Sequence, residues 1–217
     1  MLKVKICGIT NLDDAKMAAS MGYDYVGMVF HEPSPRNVSA ATAKKIADAV
    51  RGIVSAVGVF VDAPPENVLK ISKKCGLAAV QLHGNESVEY CAALKESLAA
   101  ALTGAAVIKA FAAADGSVIE RLKEYMSVAD YILLDAPPSG DFPGGTGETF
   151  DWAIAAEAVK TGAKIFLAGG LNPTNLAEAV EKSGHPYAVD VSSGLERLPR
   201  RKDYDKMMSF IRTAKKL

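Results

Sequence analysis

The sequence predicts an α/β chain folded as a single (β/α)8 barrel, the TIM-barrel architecture, over residues 1–217. Three observations predict it. Strand-like runs rich in Val, Ile and Leu recur at intervals of roughly 20 to 30 residues, each is followed by a stretch of helical period, and the alternation repeats often enough to close a ring. At 217 residues and 49% hydrophobic composition the chain can bury a large core in one domain, at the short end for such a barrel. Its βα loops therefore carry no large insertions.

The elements follow in order. The first strand, Val4 to Cys7, alternates in character and ends on a cysteine handed directly to Gly8; a helix from Asn11 to Met21 follows. A strand from Tyr25 to Phe30 leads to a helix from Ala40 to Val50, with Ser39 placed to cap an alanine-rich run. Next come Ile53 to Phe60 with Pro65 to Lys74, Ala78 to Leu82 with Ser87 to Leu98, and Val107 to Phe111 with Val118 to Tyr125. The last three units are Tyr131 to Leu134 with Asp151 to Thr161, Lys164 to Ala168 with Pro173 to Lys182, and Tyr187 to Val191 with Tyr204 to Lys215. Asn172 reads as the cap before a first-turn proline at Pro173.

Composition narrows the function classes. The 25 basic and 25 acidic side chains cancel, which argues against a nucleic-acid partner and is compatible with a monomer or weak homodimer. The basic cluster Arg197, Arg200, Arg201 and Lys202 reads as solvated surface. No apolar run reaches the ~18 to 20 residues that span a bilayer. Met1 leads straight into a strand rather than a secretory signal, so no membrane and a cytoplasmic location are expected. Cys7, Cys75 and Cys91 show no pairing pattern and are expected as free thiols, Cys75 and Cys91 as small packing residues. His31, His83 and His185 show no metal-ligand spacing with carboxylates or cysteines; neither metal nor other cofactor is expected.

Chemistry in such a barrel belongs at the C-terminal ends of its strands. Cys7 ends the first strand there, either as a reactive thiol or as core filler. Asp135 ends an apolar strand at the same rim and reads as an acid or base, the alternative being a turn former. The long Gly- and Pro-rich loop Ala136 to Gly147 beyond it is a candidate lid. Gly169 and Gly170 after the seventh strand, with Ser192, Ser193 and Gly194 after the eighth, form small-residue loops whose backbone N–H groups suit a phosphate. A small phosphorylated substrate is implied. Strand parity adds one more expectation: if Cys7 points inward, so does Lys5, and a lysine inside the barrel needs a carboxylate, which Asp190 on the neighbouring eighth strand supplies. That pair would place positive charge beneath Cys7.

These segments also carry a resemblance. Lys5-Ile6-Cys7-Gly8-Ile9-Thr10, Ser34-Pro35-Arg36, Val80-Gln81-Leu82-His83-Gly84, Leu134-Asp135, Gly144-Gly145-Thr146-Gly147, Leu167-Ala168-Gly169-Gly170-Leu171 and Asp190-Val191-Ser192-Ser193-Gly194-Leu195-Glu196, in this order along almost the whole chain, resemble the phosphoribosylanthranilate isomerases of tryptophan biosynthesis. The resemblance implies an Amadori rearrangement of N-(5-phosphoribosyl)anthranilate, with Asp135 as general acid and Cys7 as general base. It further implies that Arg36 pairs with the anthranilate carboxylate, where the bare sequence favours a surface arginine restrained by Pro35, and that His83 lines the site, where the bare sequence favours an exposed loop histidine. The acid must keep its proton near a reference pKa of about 3.9 and the thiol must lose one near about 8.5, so their surroundings must act in opposite senses. One departure stands out: family members often carry Pro-Gly-x-Lys-Asp after the last strand, whereas this chain has Pro199-Arg200-Arg201-Lys202-Asp203, which leaves the final loop's conformation open. Two rivals are weighed. The sister isomerase of histidine biosynthesis carries aspartate at the first-strand position and is disfavoured by Cys7; a non-catalytic sugar-phosphate binder is disfavoured by the presence of both Cys7 and Asp135.

Overall fold

The computed structural model describes residues 1–102, 104–137 and 149–217. Strands β1 (Lys3–Ile6), β2 (Tyr25–Val29), β3 (Ser55–Phe60), β4 (Ala79–Leu82), β5 (Ala106–Ala112), β6 (Tyr131–Asp135), β7 (Ile165–Leu167) and β8 (Ala188–Val191) form a closed barrel. All neighbours are parallel, and the ring shuts through the β1 and β8 register, with Lys5 opposite Asp190. Helices α1 (Leu12–Met21), α2 (Ala40–Val50), α3 (Pro65–Cys75), α4 (Val88–Ala101), α5 (Val118–Tyr125), α6 (Trp152–Lys160), α7 (Leu176–Lys182) and α8 (Tyr204–Ala214) alternate with the strands in the chain. Their apolar faces pack on the outward strand residues to form the main core.

Local chemistry sets the boundaries. Asn11, Ser39, Ser87 and Asp203 each accept a backbone N–H three residues on, at 3.0 to 3.2 Å, fixing where α1, α2, α4 and α8 begin. Two expected starts are corrected. Ile53 is not in β3: the Ile53 and Val54 N–H groups both donate to the Val50 carbonyl, so this stretch is the tail of a helical turn and Ile53 is exposed. The regular helix α7 starts at Leu176, not Pro173, because the Asn172 side chain accepts from the N–H groups of both Thr174 and Asn175 and winds residues 173–175 into a turn first.

A second, smaller core fills the barrel interior, where Val57, Ala79, Ile108, Leu133, Phe166 and Ala188 meet. Its lower end is plugged by tyrosines at or just before strand starts: Tyr25, Tyr131 and Tyr187 surround the Phe166 ring at centroid distances of 5.4, 5.3 and 5.8 Å. These rings close the barrel interior at that end, while a separate cavity of about 600 Å³ lies outside them among the loops that lead into β2 and β3.

Beyond β8 the chain makes one 3-10 turn, Ser193–Leu195, and a two-stranded antiparallel hairpin, β9 (Glu196–Leu198) and β10 (Arg201–Lys202), before α8. This resolves the departure at Pro199-Arg200. Arg200 takes a positive φ of +71°, the conformation glycine accepts freely, as the second residue of a tight connection led by Pro199. The expectation that the basic cluster is solvated surface is corrected at its last member: Arg197, Arg200 and Arg201 are exposed, but Lys202 is buried, because the hairpin folds it inward. Cys75 and Cys91 are both fully buried in helices, as packing residues should be. The candidate lid, Ala136 to Gly147, lies outside the described residues from position 138 onward.

Candidate active site

The open rim holds a cavity of about 350 Å³ bounded by residues from the C-terminal ends of the strands and the loops that follow. Cys7 sits one residue past the end of β1, its N–H still continuing the ladder to Val191, and its side chain lines the cavity. Lys5 lies one inward position below and is fully buried, with its ammonium 2.8 Å from the Asp190 carboxylate. The pair inferred from strand parity is present. Gly27 on β2 makes room for this arrangement: a Cβ there would lie 2.8 Å from the Cys7 sulfur and 3.2 Å from the Lys5 nitrogen. Burial pushes the Cys7 thiol above its ordinary range, while Lys5 and Lys202 pull in the other direction without cancelling it. Burial also opposes the charge on Lys5, but Asp190 and the thiol outweigh it and hold the ammonium's pKa above the usual lysine value.

Asp135 ends β6, which β7 and β8 separate from β1 around the ring. One carboxyl oxygen accepts the Ala136 N–H at 2.9 Å; the other faces His83 Nε2 at 3.5 Å. His83 is largely covered and lines the cavity rather than standing free in a loop. Its Nδ1 is 2.8 Å from Gln81 Nε2, so with the amide in this orientation Nδ1 accepts and Nε2 carries the hydrogen aimed at Asp135. Gln81 was not foreseen as a site residue. The signal was its parity, two positions before His83 on the same face of β4.

Arg36 also lines the cavity, and it is not a free surface side chain. Its Nε and Nη2 donate to the two carboxylate oxygens of Glu196, each at 2.8 Å, while its aliphatic stem passes over Gly8, where a Cβ would collide with it. Lys202 Nζ donates to the Ser192 carbonyl at 3.0 Å and reaches Glu196 at 3.3 Å. Glu196 and Lys202 were missed because nothing in their spacing shows that a hairpin returns them to the rim.

The two small-residue loops meet at the remaining wall. Gly169 and Gly170 hold φ values of +78° and +61°, which only glycine adopts without strain, and they line the cavity with Ser192 and Ser193. Gly194 is not part of the lining. It faces the other loop, where a Cβ would overlap the Leu171 carbonyl oxygen, so its work is to let the two loops close on each other. Among the described residues no cluster of His, Cys, Asp and Glu is arranged to hold a metal ion, and no helix is long and apolar enough to cross a membrane.

A parallel eight-stranded barrel with a thiol, a carboxyl and two small-residue loops around one cavity at its C-terminal rim has the arrangement of a barrel enzyme. Comparison with known proteins supplies the particular kind. Residues 4–213 match the family model described as N-(5'phosphoribosyl)anthranilate (PRA) isomerase, and the chain belongs to this family. The N-(5'-phosphoribosyl)anthranilate isomerase of Trichlorobacter lovleyi is 45% identical over 215 residues, covering 99% of this chain and 98% of that protein. That of Geobacter metallireducens is 46% identical over 215 residues, covering 99% and 100%. Among solved structures, phosphoribosyl anthranilate isomerase from Thermotoga maritima superimposes with a TM-score of 0.88 at 39% identity, each chain being covered in full. A further isomerase structure, in complex with reduced 1-(o-carboxyphenylamino)-1-deoxyribulose 5-phosphate, matches with a TM-score of 0.86 at 38% identity over the whole of both chains.

Proposed function

We propose that this isomerase converts N-(5-phosphoribosyl)anthranilate to 1-(2-carboxyphenylamino)-1-deoxyribulose 5-phosphate, with Asp135 as general acid and Cys7 as general base. The observation that carries the reading is that a thiol from β1 and a carboxyl from β6 line one cavity from different sides of the barrel. An acid and a base that approach a sugar from separate directions are what the rearrangement requires.

The Asp135 carboxyl gives its proton to the ribose ring oxygen as the bond from that oxygen to C1′ breaks, and the nitrogen lone pair closes a protonated imine. The Cys7 thiolate then takes the proton on C2′; the C–H electron pair becomes the C1′–C2′ double bond and the imine pair returns to nitrogen. The resulting enolamine tautomerises to the ketone. Lys5, held beneath the thiol, favours the thiolate that the second step consumes. Arg36, Lys202 and Glu196 together leave one net positive charge on their wall, which suits the anthranilate carboxylate, and Arg36 retains Nη1 beyond the two donors given to Glu196. The backbone N–H groups of Gly169, Gly170, Ser192 and Ser193 are the natural grip for the phosphate.

The test is loss of fluorescence when the protein meets freshly made phosphoribosylanthranilate. The unaltered chain consumes it, while Cys7→Ser and Asp135→Asn each lose on the order of 10²-fold or more in kcat, the usual worth of a positioned acid or base. Variants as active as the parent would refute the two roles; an inactive parent that still binds the phosphorylated product would make the barrel a binder.

A further inference from the structure

Arg200 is exposed, belongs to no step of the mechanism above, and is held in a backbone conformation that a side chain of its type rarely adopts, with φ +71°. What that conformation achieves is visible in its contacts. The Arg200 Nη1 donates to the carbonyl oxygens of Pro35 at 2.8 Å and Asn37 at 3.2 Å, the residues immediately before and after Arg36. The backbone of Arg200 is itself tied down, its carbonyl accepting from Thr10 Oγ1 at 2.9 Å and from Asn11 Nδ2 at 3.4 Å in the loop after β1.

Arg36 therefore rests between two attachments to the same hairpin. Its guanidinium is fixed by Glu196 on β9, and its backbone is fixed from both sides by the residue at the turn between β9 and β10. Pro35, Arg36 and Pro199 all face the cavity, so a shift between the β2 loop and the hairpin would change the shape of the wall that Arg36 presents. A loop carrying a binding arginine must otherwise be ordered when substrate arrives, at the expense of affinity.

We propose that Arg200 is a positioning residue, a strap that pre-orders the loop after β2 so that Arg36 is aimed into the cavity before the substrate carboxylate enters. This rests on the reading of Arg36 as the carboxylate partner. The strap acts on ground-state binding, and the reacting atoms, the ring oxygen and C2′, are served by Asp135 and Cys7, so its loss moves KM and leaves kcat nearly alone.

The experiment is steady-state kinetics with phosphoribosylanthranilate on Arg200→Gly, Arg200→Lys and Arg36→Met, with thermal unfolding of each. Glycine accepts the positive φ that arginine holds under strain, so Arg200→Gly keeps or raises Tm while KM rises about three- to tenfold and kcat stays within about twofold, the size expected for losing charge-assisted bonds that pre-order a binding loop. Arg200→Lys, which keeps the charge but not the forked donor, falls between the two. A purely structural arginine would do the reverse, lowering Tm with KM unchanged, and that result overturns the strap. Arg36→Met separates the two ideas: if it raises KM while Arg200→Gly does not, the strap fails and the reading of Arg36 stands. If Arg36→Met leaves KM alone, the reading of Arg36 fails and the strap falls with it.

Discussion

The Lys5 ammonium and the Asp190 carboxylate meet at 2.8 Å inside the barrel, one layer below the Cys7 thiol. Lys5 is wholly enclosed, and Asp190 is 8% exposed where it borders the cavity, so each is the other's main compensating charge. The pair joins the strands at the ring's closure and sets the electrostatics under the thiol.

Lys5→Met should act on both counts. Stability should drop by about 3 kcal/mol, the usual result of orphaning one member of a buried pair, with partial recovery in Lys5→Met/Asp190→Asn. Because the Lys5 charge draws the thiol's pKa down against burial, its loss moves Cys7 further up, and the limb on which activity rises with pH shifts to higher pH. The sign for stability is separate. Lys5 has its pKa raised on folding, so its contribution is complete at neutral pH and is lost only as the pH climbs past that raised value in strongly alkaline solution. Urea midpoints and pH–rate profiles check the two effects independently.

Gly27→Ala tests whether the thiol and ammonium need the niche they share. The added carbon would sit 2.8 Å from the Cys7 sulfur, and the side chains, not the backbone, must give way. The fold should survive at a cost of about 1–2 kcal/mol, typical of adding one methyl to a filled core. The chemistry should suffer more, with kcat down about tenfold or more if Cys7 is the proposed base, because the thiol is displaced from C2′. Thiolate absorbance as a function of pH, alongside kcat, checks the displacement; an unchanged titration and unchanged kcat would refute it.

Much of this was legible in the chain. Apolar strand runs and their caps place the barrel, and parity plus ring closure is enough to pair Lys5 with Asp190, because both rules depend only on spacing. The parts that escaped depend on long-range return of the chain. Lys202 looks like one more surface base until the hairpin turns it inward against Ser192 and Glu196, and Glu196 looks like any loop carboxylate until Arg36 arrives from more than a hundred residues away. Gln81 reads as a strand residue, and only its contact with His83 marks it. Local signals erred where two helix-start devices compete: Asn172 followed by Pro173 has the residues of a cap, yet its side chain winds a turn first.

Glu196 offers a pH test that does not involve turnover. Burial pushes its carboxyl up, but Arg36 and Lys202 together outweigh this and hold it below the ordinary glutamate range. A carboxyl lowered on folding contributes stability above its unfolded value, about 4.3, and loses it as the pH falls through the folded one. The parent should therefore weaken only as the pH drops below about 4.3. Glu196→Gln, which leaves two mostly buried cations facing each other, should cost about 3 kcal/mol near neutrality and show a shallower acid decline, measured by denaturant midpoints across the acid range.

The loops after β3 and β4 are tied to strand β5 by another buried pair that takes no part in the proposed chemistry. Lys109 Nζ donates to Glu86 at 2.9 Å and to the Gly84 and Ala110 carbonyls at 2.7 and 3.1 Å, while Glu86 accepts the N–H groups of Asp62 and Gly84. Replacing Lys109 with Met leaves the buried Glu86 carboxylate without its countercharge and the Gly84 and Ala110 carbonyls without the ammonium, so a loss of about 3–5 kcal/mol is expected, and amide exchange at Asp62 and Gly84 should quicken. Glu86→Gln keeps an acceptor for those amides and should cost less. The two substitutions combined should cost less than their sum, because the second no longer breaks an intact pair; strict additivity in the double-mutant cycle would mean that the 2.9 Å contact carries no energy of its own. Since His83 stands one residue before Gly84, the same variants should also raise KM modestly while leaving the pH dependence set by Cys7 in place, which separates a loop tether from a catalytic group.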